Sequence, residues 1–142
     1  MLLASFGDWG AYATPTAPRV CYALSRPKER QASALQRDPA YIFVSFRPAD
    51  YVKGEIAIAM GLQMQDGGAG EATVGTTKFN LVTKDRNAWV KNPAEEPQLV
   101  IAMGQAQSLL VTVASAGGDK LSDRYSLVGF RDAIERVRKE CP

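Results

Sequence analysis

Ala40-Tyr41-Ile42-Phe43-Val44-Ser45-Phe46-Arg47, closed by Pro48, is the densest run of β-branched and aromatic residues in the chain, and its reading as a central strand decides the fold class. Glu55 to Leu62 is a second apolar run. The short link from Pro48 to Gly54 pairs the two as antiparallel neighbours.

Working outward toward the N-terminus, Arg19 to Ser25 alternates, with Val20, Tyr22 and Leu24 on one face and Cys21 and Ala23 on the other. Before it, Phe6 to Thr14 reads as one extended segment anchored by Phe6, Trp9 and Tyr12. Pro15 and Pro18 end it by removing backbone donors and disfavouring helix. Arg26 to Pro39 is a polar connection carrying Arg26, Lys28, Arg30 and Arg37, read either as an anion- or partner-binding loop or as a solvated charge cluster.

Toward the C-terminus, Asp66-Gly67-Gly68-Ala69-Gly70 is a flexible turn, followed by short strands at 72–74, 78–83 and 88–90. Asn92 to Met103 holds a short helix with Leu99, Val100 and Met103 on its apolar face and acids at its positive start. Ser108 to Val113 and Lys120 to Val128 form a hairpin around Ala116 to Asp119. Gly129 to Cys141 ends the chain as an amphipathic helix, because Phe130, Ile134, Val137 and Cys141 recur at helical spacing. Asp132 with Arg136 and Glu135 with Lys139 are the expected pairs on its solvated face. The pattern predicts a single domain over residues 1–142, mainly β: an antiparallel β-sandwich or partly open barrel with a short middle helix and a C-terminal helix.

Composition narrows the function. Seventeen basic against fifteen acidic side chains leave a charge of +2, too small to imply a nucleic-acid partner, and no apolar run reaches membrane-span length. There is no histidine, which removes the Ser-His and Cys-His nucleophile pairs and the commonest metal ligand. Gly70 and Gly75 stand at phosphate-loop spacing, but Thr76 replaces the required lysine and a strand follows where that loop needs a helix. No calcium-loop spacing of carboxylates occurs. No catalytic constellation, cofactor or metal is expected. Cys21 and Cys141 lie too far apart for a CxxC pair, and spacing alone leaves a disulfide, two buried thiols or a reactive thiol open.

Several spaced blocks resemble the invasion-associated locus B family of bacterial exported proteins. They are Phe6-Gly7-Asp8-Trp9, Val20-Cys21-Tyr22, Asp38-Pro39-Ala40-Tyr41 with Arg47-Pro48, Ala88-Trp89-Val90-Lys91-Asn92, and Tyr125-Ser126-Leu127-Val128-Gly129-Phe130 leading through Ala133 and Ile134 to Cys141. At Met103-Gly104-Gln105-Ala106 the chain departs from the basic residue and glycine that end the middle helix in similar proteins. The resemblance implies a disulfide between Cys21 and Cys141, and a periplasmic or outer-envelope location after loss of an export signal, since Met1 to Ser5 is too short to be one. The family name comes from pathogen members linked to host-cell entry.

The leading expectation is a non-enzymatic envelope domain that binds a protein or envelope component through exposed loops such as 26–39 and 65–70. Phe6, Trp9, Tyr41, Trp89, Tyr125 and Phe130 are expected as core anchors. A glycan or small-ligand reading would instead use Trp9, Tyr41 or Trp89 as a platform. A carboxylate-based hydrolase would need two of Asp8, Asp38, Asp50 and Glu55 to converge in one cleft.

Overall fold

The computed structural model describes residues 1–31 and 37–142. One eleven-stranded antiparallel sheet is formed by β1 (Leu2–Phe6), β2 (Trp9–Ala13), β3 (Cys21–Ser25), β4 (Glu29–Gln31), β5 (Tyr41–Arg47), β6 (Val52–Ala59), β7 (Gly68–Val74), β8 (Thr77–Lys84), β9 (Asn87–Val90), β10 (Ser108–Ala114) and β11 (Lys120–Ser126). Its order is β1-β2-β3-β5-β6-β9-β8-β7-β10-β11-β4, so among the described residues β1 and β4 are the edges and the sheet stays open. The expected helices are present as α1 (Glu96–Met103) and α2 (Phe130–Glu140). The strand 40–47 is central, paired to β3 and β6 on its two sides.

Three expectations change. Phe6 to Thr14 is not one extended segment, because Gly7 at φ 56° and Asp8 turn the chain and pair β1 with β2. Gly68-Ala69-Gly70 belongs to β7 rather than to a turn, paired with Thr83, Val82 and Leu81. On α2 the ion pair among the described residues is Arg136 with Glu140 at 3.3 Å, and Glu140 also takes Arg19 at 3.2 Å. The carboxylate next to the disulfide-bearing end thus recruits both arginines, in place of the surface pairs Asp132–Arg136 and Glu135–Lys139.

The inner face of β2 and β3 is made of small residues. Ala11, Ala13, Cys21 and Ala23 have no measurable exposure, and α2 lies against them with Phe130, Ala133, Ile134 and Val137 turned inward. A short side-chain layer lets a helix approach a sheet closely, which explains why the small face of β3 is the buried one. Cys21 and Cys141 are bonded there, their Cα atoms 6.0 Å apart, so the end of α2 is tied to β3.

The other end of α2 is fixed by backbone contact. Gly129 (φ 91°) sits so close to the Phe6 carbonyl that a Cβ would overlap it, and a Cβ on Gly7 would come within 2.6 Å of the Val128 carbonyl oxygen. The Asp8 N–H donates to the Val128 carbonyl at 2.9 Å, and Trp9 Nε1 donates to the Ser126 carbonyl at 2.9 Å. The Trp9 ring meets Phe130 edge-on at 4.8 Å. These contacts fold the β1–β2 hairpin onto the β11–α2 corner and give the rolled, sandwich-like shape.

A different device locks the opposite end. Arg37, only 4% exposed in its side chain, donates two hydrogen bonds at 2.8 and 2.7 Å to the fully buried Asp123 of β11, and Nη2 also reaches the Met60 carbonyl at 2.7 Å. Burial pushes the hydroxyl of neighbouring Tyr125 to titrate far above its ordinary range.

Candidate interaction face

Alternation along the strands sorts the outer face into two halves. On β8, β7, β10 and β11 the outward positions carry Lys78, Asn80, Lys84, Glu71, Thr73, Ser108, Thr112, Ser122 and Arg124. That half is a solvated surface broken mainly by Leu110, as one-sided antiparallel sheets ordinarily are.

The half made by β2, β3, β5, β6 and β9 is different. Strand register sets Gly10 opposite Leu24, Leu24 opposite Phe43, Phe43 opposite Ala57, Ala57 opposite Trp89, and Trp89 opposite Val82 of β8. Four strand spacings separate Leu24 from Val82, so the apolar row is roughly 20 Å long. Tyr12 and Tyr22 form a second row, their rings stacked at 5.2 Å and 7° from parallel, and Tyr22 leans on Phe43 at 5.9 Å. Tyr41 adds a third row beside Phe43, capped by the Arg26 guanidinium 5.2 Å from its ring centre. The charges on this half include Arg47 and Glu55, paired with each other at 3.0 Å. All these aromatic side chains are half-buried. Neither helix covers them: α2 lies on the inner face, and Val100 of α1 approaches Gly54, whose backbone belongs to that same inner side.

One end of the face deepens into an open groove of about 470 Å³ lined by Ser5, Asp8, Tyr12, Leu24, Arg26 and Lys28. Lys28 Nζ lies 2.8 Å from Asp8. Hydrogen bonds from Lys28 and then Ser126 hold the Asp8 carboxyl below its ordinary value.

The sequence-derived candidates divide accordingly. Trp9, Tyr125 and Phe130 are buried anchors, and Phe6 packs half-buried against the core. Tyr41 and Trp89 are not core residues, because alternation turns Ile42, Ala88 and Val90 inward and leaves these two rings on the outer face. Trp9, inward and bonded through its indole nitrogen, offers no ligand platform. The cations of the 26–39 connection are taken up internally: Arg26 on Tyr41, Lys28 on Asp8, Arg30 on the Asp38 carbonyl, Arg37 on Asp123. Residues 32–36 of that connection lie outside the described residues. The 65–70 loop shortens to Gln65-Asp66-Gly67 once β7 claims its glycines.

Among the carboxylates, Asp38 pairs with Arg86 at 2.7 Å, while Asp50 and Glu55 meet only through Arg47, on an exposed hairpin. Half-buried Glu96 accepts from the Ile56 N–H at 2.8 Å, and desolvation raises its pKa. No group of three or more histidine, cysteine or acidic residues is gathered as a metal site among the described residues. No helix among them is long and apolar enough to cross a membrane.

One signal of the outer face is present in the sequence: Tyr41 to Val44 is apolar on both faces, and a strand with two apolar faces is either covered on both or presents one to a partner.

No family model matches the sequence, and no curated protein matches it. Among solved structures, the crystal structure of invasion associated protein B from Bartonella henselae superposes with a TM-score of 0.65 at 14% identity, over 98% of this chain and 96% of that one. The chain therefore has the fold of that invasion associated protein B, over essentially its whole length.

Proposed function

We propose that this chain is a non-enzymatic interaction domain of the bacterial envelope, periplasmic or outer-envelope in location, which binds a protein partner through the aromatic outer face of β2, β3, β5, β6 and β9. The observation that carries the reading is that face: aromatic rings on a sheet surface that no element among the described residues covers, beside a half whose outer surface is ordinarily polar. The disulfide supports an oxidising compartment. Association with invasion stays with the Bartonella protein.

A protein partner is favoured over a glycan because sugar stacking needs open ring faces. Tyr12 and Tyr22 turn theirs to each other, and Arg26 occupies that of Tyr41. The carboxylates considered for hydrolysis are engaged by cations, which supports binding over catalysis.

Photo-crosslinking residues placed at Phe43 and Trp89, with Thr112 as control, test the reading in intact cells. Adducts to a protein from the first two sites and none from the third are expected. Equal labelling from all three, or none, would sink it.

A further inference from the structure

We infer that the protein bound by the outer face docks there as an amphipathic α-helix with acidic flanks, seated along β6 between Phe43 and Trp89. The inference rests on the reading of that face as a contact surface and adds the form of the bound segment.

The face is not flat. Beyond Glu55 the outward residues of β6 are Ala57 and Ala59, while its neighbours carry rings: Phe43 and Tyr41 stand beside the two alanines on β5, and Trp89 stands beside Ala57 on β9. Ring contacts run from Tyr12 through Tyr22 and Phe43 to Tyr41, all on one side of β6. Both alanines are only half-buried, so the floor between the rings is open. Two strand spacings separate β5 from β9, which gives a trough roughly 10 Å wide, about the diameter of a helix with its side chains. The inner face uses the same device, since α2 lies on Ala11, Ala13 and Ala23.

Backbone pairing argues against an extended segment. From Ala57 to Ala59, β6 is paired with β5 on one side and β9 on the other, so a chain lying over it finds no edge to join. A bound strand would bring its own N–H and C=O groups unpaired onto rings and methyl groups, whereas a helix pairs them internally. Charge sets the flanks. Glu55 is the single acid on β5, β6, β8 and β9, and Arg47 holds it at 3.0 Å. Around the trough stand Arg26 over Tyr41, Lys84 on β8 in line with Ala59, and Lys91 just past β9. Among the described residues neither lysine is in an ion pair. An apolar floor with a cationic border is complementary to an apolar stripe flanked by Asp and Glu.

Photo-crosslinking residues at Tyr41 and at Phe43, with adducts located in the partner by peptide mass spectrometry, are the test in intact cells. The two sites lie about 7 Å apart along β5, a distance spanned by four or five residues of helix or by two of an extended chain. Adducts centred about four residues apart, in one partner segment bearing Asp or Glu, are expected. Adducts two apart, as from a strand or a proline-rich segment, overturn the helix and leave the contact face standing; no adduct from Tyr41, Phe43 or Trp89 overturns both. Ala57→Leu fills the floor and is expected to cut the Trp89 adduct by about tenfold, although it makes the face more apolar. Ala69→Leu, the exposed position beside Val82 on β7, leaves that adduct unchanged. Lys84→Glu with Lys91→Glu is expected to lower it by about tenfold as well. Circular dichroism and thermal melts verify that each variant is folded. An adduct undiminished by Ala57→Leu overturns the seat on β6, and one undiminished by the double charge reversal overturns the acidic flanks.

Discussion

The two halves of the sheet bury similar aliphatic residues on the inside and differ on the outside and in how they are locked. The aromatic half, made by β2, β3, β5, β6 and β9, is fixed by small residues under α2, the Gly7–Gly129 crossing and a disulfide. The polar half, made by β8, β7, β10 and β11, is fixed at its end by a buried arginine–aspartate pair. The contrast teaches that inward chemistry and outward role are separate: the inner faces differ in how they are locked, while the outward rows mark one half as a contact surface.

The largest expected effect breaks the lock of the aromatic half. Replacing both Cys21 and Cys141 by alanine releases a constraint spanning 120 residues, worth up to roughly 5 kcal/mol in the chain-entropy account. Urea unfolding with and without reductant measures it, and coincident curves would show that the bond contributes nothing. In the polar half, Asp123→Ala strands the Arg37 guanidinium in a buried site and should cost about 3–5 kcal/mol. The double change Arg37→Met with Asp123→Leu should recover most of that loss. If the single variant unfolds at the same denaturant concentration as the parent, the pair is not a lock.

Smaller in stability but decisive for the comparison, Phe43→Ser should change unfolding by no more than about 1 kcal/mol, because the ring is only half-buried. It should abolish crosslinking from Trp89, whereas Thr112→Ala should alter neither property. Equal binding losses from both would erase the distinction between the halves.

The smallest effect is in acid. The Asp8 pKa is lowered in the folded state, so its contribution is fully present above the unfolded value of 3.8 and is lost as pH falls through the lowered folded value. Glu96, raised by burial, works in the opposite direction: its charged form weighs against folding above its raised value, and the penalty fades as pH falls. Asp8→Asn should therefore flatten the acid limb of a stability–pH curve below about pH 4 and leave the neutral plateau's shape unchanged. An unchanged acid limb would remove Lys28 and Ser126 as the cause.

Much of the fold was legible because periodicity is a local property. The strand 40–47, the helix ending at Cys141 and the hairpin around 116–119 follow from alternation, helical spacing and turn residues. Sidedness was harder. In β3 the large residues Tyr22 and Leu24 face outward and the small ones inward, because what fits under α2 is decided by a helix more than a hundred residues away. The β1–β2 turn is hidden because Gly7-Asp8 followed by aromatics also suits an extended anchor. β4 is hidden because three polar residues have no pattern of their own and pair only once β11 is present. The aromatic face was half-legible: Tyr41 and Trp89 drew attention as large rings, but only register shows that Leu24, Phe43, Ala57 and Trp89 stand in one line.

The bond between Cys21 and Cys141 also sets an order of events. A chain made or threaded from its N-terminus presents Cys21 early, and that thiol must wait for almost the whole sequence before its partner appears. During that interval β3 can pair with β2 and β5 but cannot be covered, because α2 lies more than a hundred residues downstream. Oxidation can therefore seal only chains in which α2 has docked on β3, so the bond records a late, long-range packing event rather than a local one.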